Sequence, residues 1–311
     1  MSFHQEFFTL NNGHKIPSVA IVGTGTRWYK KEETKDSFSQ KLVEQLKYAL
    51  TLPGMVHLDA AEVYRTYPEF SEALKQTSKP RDEIFITDKY STQLKVTKDP
   101  IEGLETSLKR NNLEYVDLYL LHSPFISKEK NGFTLEEAWK QMEQLYKQGK
   151  AKNIGVSNFS VDDLQKLMAT AEILPQVNQI EYNAFLLNQT PGIVRFCQDH
   201  KILVAAYSPL GPLQKKSEVS TEFYDYVKSL ADKYGKTEAQ VLLRWVTKNG
   251  ILPVTTSSKK ERIQAAQNLF TFDLTPEEVE KITGLGQHTK AQRLYWNPEY
   301  DKFNAFSQTR D

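Results

Sequence analysis

The sequence has little of several features that mark whole classes of protein. Its only cysteine is Cys197, so no intrachain disulfide can form and we expect a reducing compartment. Basic and acidic residues number 40 and 39, so no excess charge favours nucleic acid or a membrane surface as a partner. No apolar run approaches the ~20 residues of a membrane span, and the opening segment lacks a signal-peptide pattern. We therefore expect a cytosolic protein, with nuclear presence left open.

Motifs for several common chemistries are also missing. The sequence has no complete G-x-G-x-x-G, because GTGTRW at residues 23–28 ends in tryptophan. It has no G-x-x-x-x-G-K-[ST], no G-x-S-x-G and no H-E-x-x-H. We therefore expect no P-loop, no serine-hydrolase elbow and no metal centre.

Short apolar runs alternate with helix-length segments along the chain. The runs are continuously apolar, which is typical of parallel strands covered on both faces. We count eight of them, at residues 18–22, 55–59, 83–89, 116–122, 153–158, 175–182, 202–208 and 250–257. This pattern predicts an α/β protein with a (β/α)8 TIM barrel, and a doubly wound open sheet is the alternative.

The start of the chain precedes this alternation. FFTLNNGHKIP, at residues 7–17, predicts a short N-terminal β-hairpin that turns at residues 11–13. We see no Gly/Ser-rich linker and no short-period repeat. Residues 1–311 are therefore expected to form a single domain.

Four segments have a hydroxyl residue followed three positions later by an acid or a glutamine. In this capping-box pattern the two side chains bind backbone N–H groups at the start of a helix. The segments are TLEE at 134–137, SVDD at 160–163, TEAQ at 237–240 and TPEE at 275–278. Each predicts a helix that begins immediately after its serine or threonine.

Polar residues gather where three consecutive predicted strands end. Asp59 ends the second strand, Lys89 the third and His122 the fourth, and Tyr64 lies in the loop after the second. Taken singly, such residues are more often a cap, a solvated charge or a structural histidine. In a barrel, however, these strand ends share the face on which active sites are built. Their coincidence therefore predicts a site.

These four residue types suit the delivery of a proton. A tyrosine has an ordinary pKa of about 10, which a nearby ammonium can lower by ~1–3 units. A carboxylate would keep the lysine charged and oriented, and a histidine could bind the oxygen of a substrate carbonyl. Tyr64 would then donate a proton to that oxygen while the carbonyl carbon receives a hydride.

Longer stretches of the sequence resemble the aldo-keto reductase family. They are LDAAEVYRT, RDEIFITDKY, SLKRNNLEYVDLYLLHSP, GKAKNIGVSNFS, VNQIEYNAF and AYSPLG. The resemblance covers roughly residues 7 to 287. It implies a (β/α)8 barrel that binds NADP(H) without a Rossmann domain, with a tetrad of catalytic residues: Asp59, Tyr64, Lys89 and His122.

The resemblance also implies residues that bind the cofactor. Ser157, Asn158 and Gln179 would hold the nicotinamide amide, and Tyr207 would stack on the nicotinamide ring. Ser208 and Leu210 of AYSPLG would join these contacts. The competing interpretation is that Ser157 and Asn158 form a turn and that Tyr207 is a core residue.

The last strand departs from the family pattern. Thr256 stands where the family commonly has a lysine, and Ala265 and Ala266 replace a Glu-Asn pair. Hydroxyls and basic side chains still offer a cradle for the 2′-phosphate. Its residues would be Ser257, Ser258, Lys259 and Arg262. We therefore expect NADPH rather than NADH, while a solvated helix start remains the alternative.

The substrate pocket departs from the family as well. Ser91 and Ser123 occupy positions where members that reduce sugars or simple aldehydes often carry tryptophan. A roomier and more polar pocket suits activated ketones such as α-keto amides and α-keto esters, and some aldehydes. Trp28 and Trp296 could supply walls, the latter from a C-terminal tail at 293–306 that we expect over the active-site face.

The expected function is therefore NADPH-dependent reduction of small carbonyl compounds to alcohols by a monomer. Two other functions stay open at this point. A Schiff-base lyase could use Lys89 as its nucleophile. A non-catalytic protein could bind the cofactor and act as a partner, as a channel subunit does.

Overall fold

A computed structural model of the chain describes residues 3–25, 38–215 and 220–309. The chain divides into two compact units. The first unit comprises Ala20–Asn178 and Thr256–Gln264, and the second comprises Met1–Val19, Gln179–Thr255 and Ala265–Asp311. That both belong to one domain stays a prediction. Trp28, a predicted pocket wall, lies outside the described residues.

The predicted N-terminal hairpin is confirmed. Strands β1 (Phe7–Thr9) and β2 (Lys15–Pro17) pair antiparallel, with Phe8 opposite Ile16. The turn between them uses Gly13 at φ +86°, a left-handed conformation that glycine adopts without steric cost. The hairpin therefore forms where the Asn-Gly sequence places the turn.

A larger sheet follows, and each predicted apolar run overlaps one of its strands. The strands are β3 (Val22–Gly23), β4 (Val56–Asp59), β5 (Ile84–Tyr90), β6 (Leu118–Leu121), β7 (Ile154–Ser157), β8 (Val177–Glu181), β9 (Leu203–Tyr207) and β10 (Leu252–Val254). The order of strands in the sheet is the order along the chain. The pairs from β3 to β7 and the pair β9–β10 are parallel. This topology confirms the predicted (β/α)8 class.

Helices alternate with these strands. They are α1 (Gln40–Leu50), α2 (Tyr67–Lys75), α3 (Pro100–Asn111), α4 (Lys128–Asn131), α5 (Leu135–Lys147), α6 (Val161–Met168), α7 (Ile193–Asp199), α8 (Gly211–Gln214), α9 (Thr221–Tyr234), α10 (Glu238–Lys248), α11 (Lys260–Gln267), α12 (Pro276–Gln287) and α13 (Asn297–Tyr300). Short 3₁₀ turns occur at Glu62–Tyr64, Arg81–Glu83, Leu269–Thr271 and Asp301–Phe306. Within the described ranges, no helix is both long and apolar enough to cross a membrane.

All four predicted capping boxes form. Thr134, Ser160, Thr237 and Thr275 each accept a bond from the backbone N–H three residues on, and each receives the reciprocal side chain. Glu137, for example, accepts from the Thr134 N–H at 2.8 Å. Such caps contribute about 1 kcal/mol each and mark where α5, α6, α10 and α12 begin.

The core of the first unit lies between its strands and the apolar faces of its helices. In α1, Leu42, Leu46 and Ala49 recur at spacings of four and three and are all fully buried. Burial of each leucine stabilises the fold by roughly 1.5–3 kcal/mol. These helices cover the sheet and leave the carboxyl ends of its strands to carry polar residues.

Candidate active site

Asp59 and Lys89 form a buried ion pair at the ends of two neighbouring strands. Asp59 is the last residue of β4, and Lys89 lies near the end of β5. Lys89 Nζ is 2.5 Å from Asp59 Oδ1, and it also donates to the Ala60 carbonyl at 2.9 Å. The Lys89 side chain is fully buried, so its ammonium is held by these partners rather than by water.

The 3₁₀ turn that follows β4 places the Tyr64 hydroxyl next to the Lys89 ammonium. The turn, Glu62–Tyr64, is closed by Arg65, which has a left-handed φ of 57°. Lys89 Nζ donates to the Tyr64 hydroxyl at 3.4 Å. Unlike Lys89, Tyr64 is only partly buried, so its ring can meet a small molecule. The turn therefore brings a phenol to the ammonium and keeps it accessible.

His122 completes the cluster from the next strand. It follows β6 directly, and its N–H donates to the Tyr90 carbonyl at 3.0 Å, which continues the pairing with β5. The imidazole meets the Tyr64 ring edge-on, with centroids 5.6 Å apart and an angle of 78° between the planes. The structure thus brings together the three residues predicted at strand ends and Tyr64, which was predicted in the loop after the second strand.

The electrostatics of Tyr64 differ from the sequence-based expectation. Burial raises the pKa of Tyr64 above its ordinary value of 10 and outweighs the ammonium of Lys89, which alone would lower it. Burial also opposes the charge on Lys89, but Asp59 and Tyr64 more than offset that effect and raise its pKa. At neutral pH, therefore, the phenol keeps its proton beside a charged ammonium.

His122 is neutral in this cluster. Burial lowers its pKa to about 3, and the charge of Lys89 acts in the same direction. A neutral imidazole has one N–H donor and one acceptor nitrogen. His122 can therefore bind an oxygen at neutral pH without adding a second positive charge.

Ser157 and Asn158 lie beside this cluster, at the end of β7. Asn158 has a left-handed φ of 63°, which asparagine tolerates better than most residues. Its side-chain amide donates to the His122 carbonyl at 2.9 Å and to the Ser157 hydroxyl at 3.1 Å. Both side chains are buried polar groups at a strand end. Their contacts to a carboxamide stay a prediction.

The predicted phosphate cradle lies in the same unit, where α11 begins. Ser257 Oγ accepts from the Lys259 N–H at 3.1 Å, and the side chains of Ser258, Lys259 and Arg262 are exposed. Thr256 instead accepts a bond from Gln45 of α1 at 3.3 Å. The threonine that replaces the family lysine is therefore tied to the scaffold, and the basic groups come from the helix start.

The other predicted cofactor residues belong to the second unit. Gln179 lies within β8, Tyr207 ends β9, Ser208 follows it with a left-handed φ of 52°, and Leu210 precedes α8. The Tyr207 hydroxyl accepts from the side-chain amide of Gln189 at 3.0 Å. Tyr207 and Ser208 thus lie at the carboxyl end of β9, whereas Gln179 lies inside β8, and the role of these residues toward a cofactor stays a prediction.

The C-terminal tail lies over the same strand ends in the second unit. The buried Glu181, at the end of β8, accepts from the N–H groups of Leu294 at 2.8 Å and Tyr295 at 3.2 Å. The Tyr295 ring meets Tyr207 edge-on, with centroids 5.8 Å apart. Trp296 follows, partly buried and with a left-handed φ of 58°. The tail is therefore held at the predicted face, within its own unit.

The two predicted pocket serines are engaged by their own loops. Ser91 is buried, and its hydroxyl accepts from the Leu94 N–H at 3.2 Å. The Ser123 hydroxyl is bonded to that of Thr92. Both positions carry small, polar side chains. Their hydroxyls form hydrogen bonds that stabilise the conformation of the loops.

Two residues near Tyr64 were missed by the sequence reasoning. A Cβ added to Gly25 would lie 2.6 Å from Tyr64 Cζ, so this glycine makes room for the ring. Glu62 is buried two residues before Tyr64 and binds the loop after β5. An acid inside the otherwise small and apolar stretch AAEV, at residues 60–63, was the one available signal.

Comparisons with known proteins agree with this geometry. Residues 21–287 match the Aldo/keto reductase family. The chain is 66% identical over 310 residues to the NADPH-dependent alpha-keto amide reductase of Saccharomyces cerevisiae, covering 99% of each protein. It is 39% identical to the NAD/NADP-dependent indole-3-acetaldehyde reductase of Schizosaccharomyces pombe, covering 89% of this chain and 95% of that protein.

A solved structure shows the same fold. An aldo-keto reductase of Bombyx mori in complex with NADP aligns with a TM-score of 0.79 and 30% identity, covering 96% of this chain and 98% of that one. The family match spans most of the chain and includes all four clustered residues. The chain belongs to the aldo/keto reductase family.

Proposed function

We propose that this protein reduces carbonyl compounds to alcohols with NADPH. The observation that carries the proposal is the chain of contacts from Asp59 through Lys89 to the Tyr64 hydroxyl, beside His122. Tyr64 is also only partly buried, and a proton donor must be within reach of its substrate.

The four residues divide the work of the reaction. Tyr64 donates its proton to the carbonyl oxygen, and the phenolate that remains is stabilised by the ammonium of Lys89 at 3.4 Å. Asp59 keeps that ammonium charged and in place through its 2.5 Å contact. Neutral His122 binds the carbonyl oxygen and holds it at the phenol.

The residues of the first unit fit a nicotinamide cofactor. Ser157 and Asn158 offer donors and acceptors to a carboxamide beside His122. Lys259 and Arg262 are exposed at the start of α11 and suit a 2′-phosphate, which favours NADPH over NADH. When bound, NADPH supplies the hydride that the carbonyl carbon receives.

The substrate class follows from the pocket and from the relatives. Ser91 and Ser123 keep two pocket positions small and polar, which suits ketones activated by an amide or ester group. The Saccharomyces cerevisiae relative is named for alpha-keto amides and the Schizosaccharomyces pombe relative for an aldehyde. We propose α-keto amides and α-keto esters as substrates, with some aldehydes, acted on by a cytosolic monomer.

The structure disfavours the Schiff-base alternative. A lysine that attacks a carbonyl must be neutral and within reach of the substrate. Lys89 is fully buried, bonded to Asp59 and Ala60, and its pKa is raised, so it stays charged. It is therefore suited to stabilise a phenolate rather than to form an imine.

The test follows NADPH absorbance with α-keto amides, α-keto esters and aldehydes, and repeats the panel with NADH. We expect fastest turnover with the activated ketones and NADPH, and a loss of at least a hundredfold in kcat for Tyr64→Phe, since a positioned acid contributes about 10²–10⁴-fold. Tyr226→Phe on α9, whose ring lies under Lys281 Nζ at 4.3 Å, is the matched control and should keep its rate.

Other outcomes would contradict the proposal in different ways. If no carbonyl is reduced while NADPH still binds, the protein is a cofactor-binding partner rather than an enzyme. If Tyr64→Phe keeps most of the rate, reduction proceeds but Tyr64 is not the proton donor.

A further inference from the structure

Glu62 joins two segments of the candidate site that are far apart in sequence. It begins the 3₁₀ turn that carries Tyr64, and its carbonyl accepts from the Arg65 N–H at 3.3 Å to close that turn. Its carboxylate binds a different segment, the one that follows β5. Oε1 accepts from the Ser91 N–H at 2.6 Å, and Oε2 accepts from the Thr97 hydroxyl at 2.8 Å.

The segment that Glu62 binds is the loop after β5, residues 91–97, here called the β5 loop. It begins two residues after Lys89 and carries the predicted pocket residue Ser91. The side-chain amide of Asn131 holds its Thr92 carbonyl at 2.9 Å. The Glu62 carboxylate therefore binds both ends of the β5 loop, at Ser91 and at Thr97.

The Glu62 carboxylate lies in an environment that is unfavourable for a negative charge. Glu62 is only 4% exposed, and the charges that act most strongly on it, those of Asp88 and Glu102, are also negative. Burial raises the pKa of Glu62 to about 7. The titratable groups that face it from α2, β5, α3 and β6 are Tyr67, Asp88, Tyr90, Glu102 and Tyr119.

We infer that Glu62 is a positioning residue, which fastens the β5 loop to the turn of Tyr64 and so sets the affinity for the carbonyl substrate. This inference rests on the proposed function, because it assigns Ser91 to the substrate pocket. Glu62 touches neither substrate nor cofactor in this role. Its role is to keep the β5 loop, which faces the substrate, at a fixed distance from the proton donor Tyr64.

The fastened state responds to pH in a defined direction. The pKa of Glu62 is about 7 with the loop fastened, against an ordinary value of 4.5 for a carboxyl in water. Burial outweighs the hydrogen bonds from Ser91 and Thr97, which alone would lower this pKa. Release of the carboxylate to water is favoured when it is ionised, so the contact loosens as the pH rises through about 7. Glu62→Gln copies the protonated group, because its amide oxygen can accept from Ser91 and its amide nitrogen can donate to Thr97.

The experiment combines kinetics with hydrogen–deuterium exchange. For Glu62→Ala we expect the KM of an α-keto ester to rise about tenfold, equivalent to the loss of one or two buried hydrogen bonds, with a smaller change in kcat. NADPH affinity should stay unchanged. Exchange of the backbone amides in residues 91–97 should become faster. Glu62→Gln should keep a low KM and slow exchange.

The pH profile separates positioning from simple structural support. Between about pH 6 and about pH 8 the KM of the wild type should rise, whereas that of Glu62→Gln should stay flat. Glu105→Gln is the matched control, because it removes an exposed carboxylate on α3 that pairs with Lys150 at 2.7 Å and lies outside the β5 loop. It should behave as the wild type does.

Each result decides the inference. Unchanged exchange and KM in Glu62→Ala, or the same pH profile in the wild type and Glu62→Gln, would overturn it. If Glu62→Ala does not fold, Thr97→Val removes one of the two bonds and should give a smaller rise in both readouts. Hydrogen exchange needs no turnover, so it tests Glu62 even if the wild type reduces no carbonyl.

Discussion

Two buried polar clusters lie on opposite faces of one strand. On β5, Lys89 contacts Asp59 and Tyr64, whereas its neighbour Asp88 points to the other face because successive side chains alternate. Asp88 accepts from the Tyr67 hydroxyl at 2.9 Å, from the Lys89 N–H at 2.9 Å and from the Ser107 hydroxyl. We call these the Lys89 cluster and the Asp88 cluster.

The two clusters differ in what balances the carboxylate. Asp59 faces an ammonium, whereas Asp88 faces neutral hydroxyl and amide donors. Burial consequently raises the pKa of Asp88 to about 6, and its hydrogen bonds only partly oppose that effect. The clusters also differ in access, since Tyr64 is partly exposed while Tyr67 and Ser107 are buried. Burial and polarity alone therefore do not mark an active site, but an ion pair that leads to an accessible phenol does.

The largest expected effect breaks the Lys89 cluster. Lys89→Met removes the ammonium, so the phenolate formed when Tyr64 gives up its proton loses its stabilising charge. We expect kcat to fall about a thousandfold, within the range of general acid catalysis. NADPH affinity, measured by quenching of protein fluorescence, should change little.

This variant also leaves Asp59 buried without its partner, which can cost 3–5 kcal/mol of stability. The double variant Asp59→Asn, Lys89→Met removes both charges and should regain stability but not activity. Turnover within tenfold of the wild type in either folded variant would show that Lys89 does not act on Tyr64.

A second substitution tests how closely the Tyr64 ring must be held. In Gly25→Ala the new Cβ would lie 2.6 to 2.8 Å from three ring carbons, closer than real contacts allow, so the ring must shift from its present position. We expect about a tenfold fall in kcat/KM, since small misplacements of a reacting group are costly. Steady-state kinetics with an α-keto ester would measure it.

Gly284→Ala on α12 is the matched control. Nothing lies within 4 Å of its added Cβ, and alanine is favoured over glycine inside a helix by roughly 0.5–1 kcal/mol. It should keep full activity and unfold at the same or a slightly higher temperature. Equal kinetic losses in both variants would show that the Tyr64 ring tolerates displacement.

The sequence predicted what local pattern and topology determine. Asp59, Lys89 and His122 could be brought together because parallel strands put their carboxyl ends on one face, and Tyr64 follows one of those ends by five residues. The four capping boxes were predictable because each is complete within four residues. Their partners are local, so no tertiary knowledge is needed.

What the sequence could not predict depends on distant contacts and on burial. Glu62 matters through Ser91 and Thr97, and Gly25 through Tyr64, which are pairs separated by 29 or more residues. The direction of the Tyr64 pKa was wrong for a related reason. The charge of Lys89 could be read from the sequence, but the burial that outweighs it could not.

The smallest expected effect on activity comes from the Asp88 cluster, where the readout is stability. The folded pKa of Asp88, about 6, lies above its ordinary value of 3.8. Its contribution to stability is therefore complete at low pH and is lost as the pH rises through about 6. Over that range it should lower the free energy of unfolding by up to about 3 kcal/mol.

Asp88→Asn should remove this pH dependence and leave turnover unchanged. The amide keeps one acceptor, and the hydroxyls of Tyr67 and Ser107 can turn to accept from its nitrogen. Urea unfolding at about pH 4 and about pH 7 measures the difference, and Asp225→Asn, on the exposed face of α9, is the control. If Asp88→Asn kept the wild-type slope but lost turnover, Asp88 would belong with Lys89, and the two faces of β5 would form one functional unit.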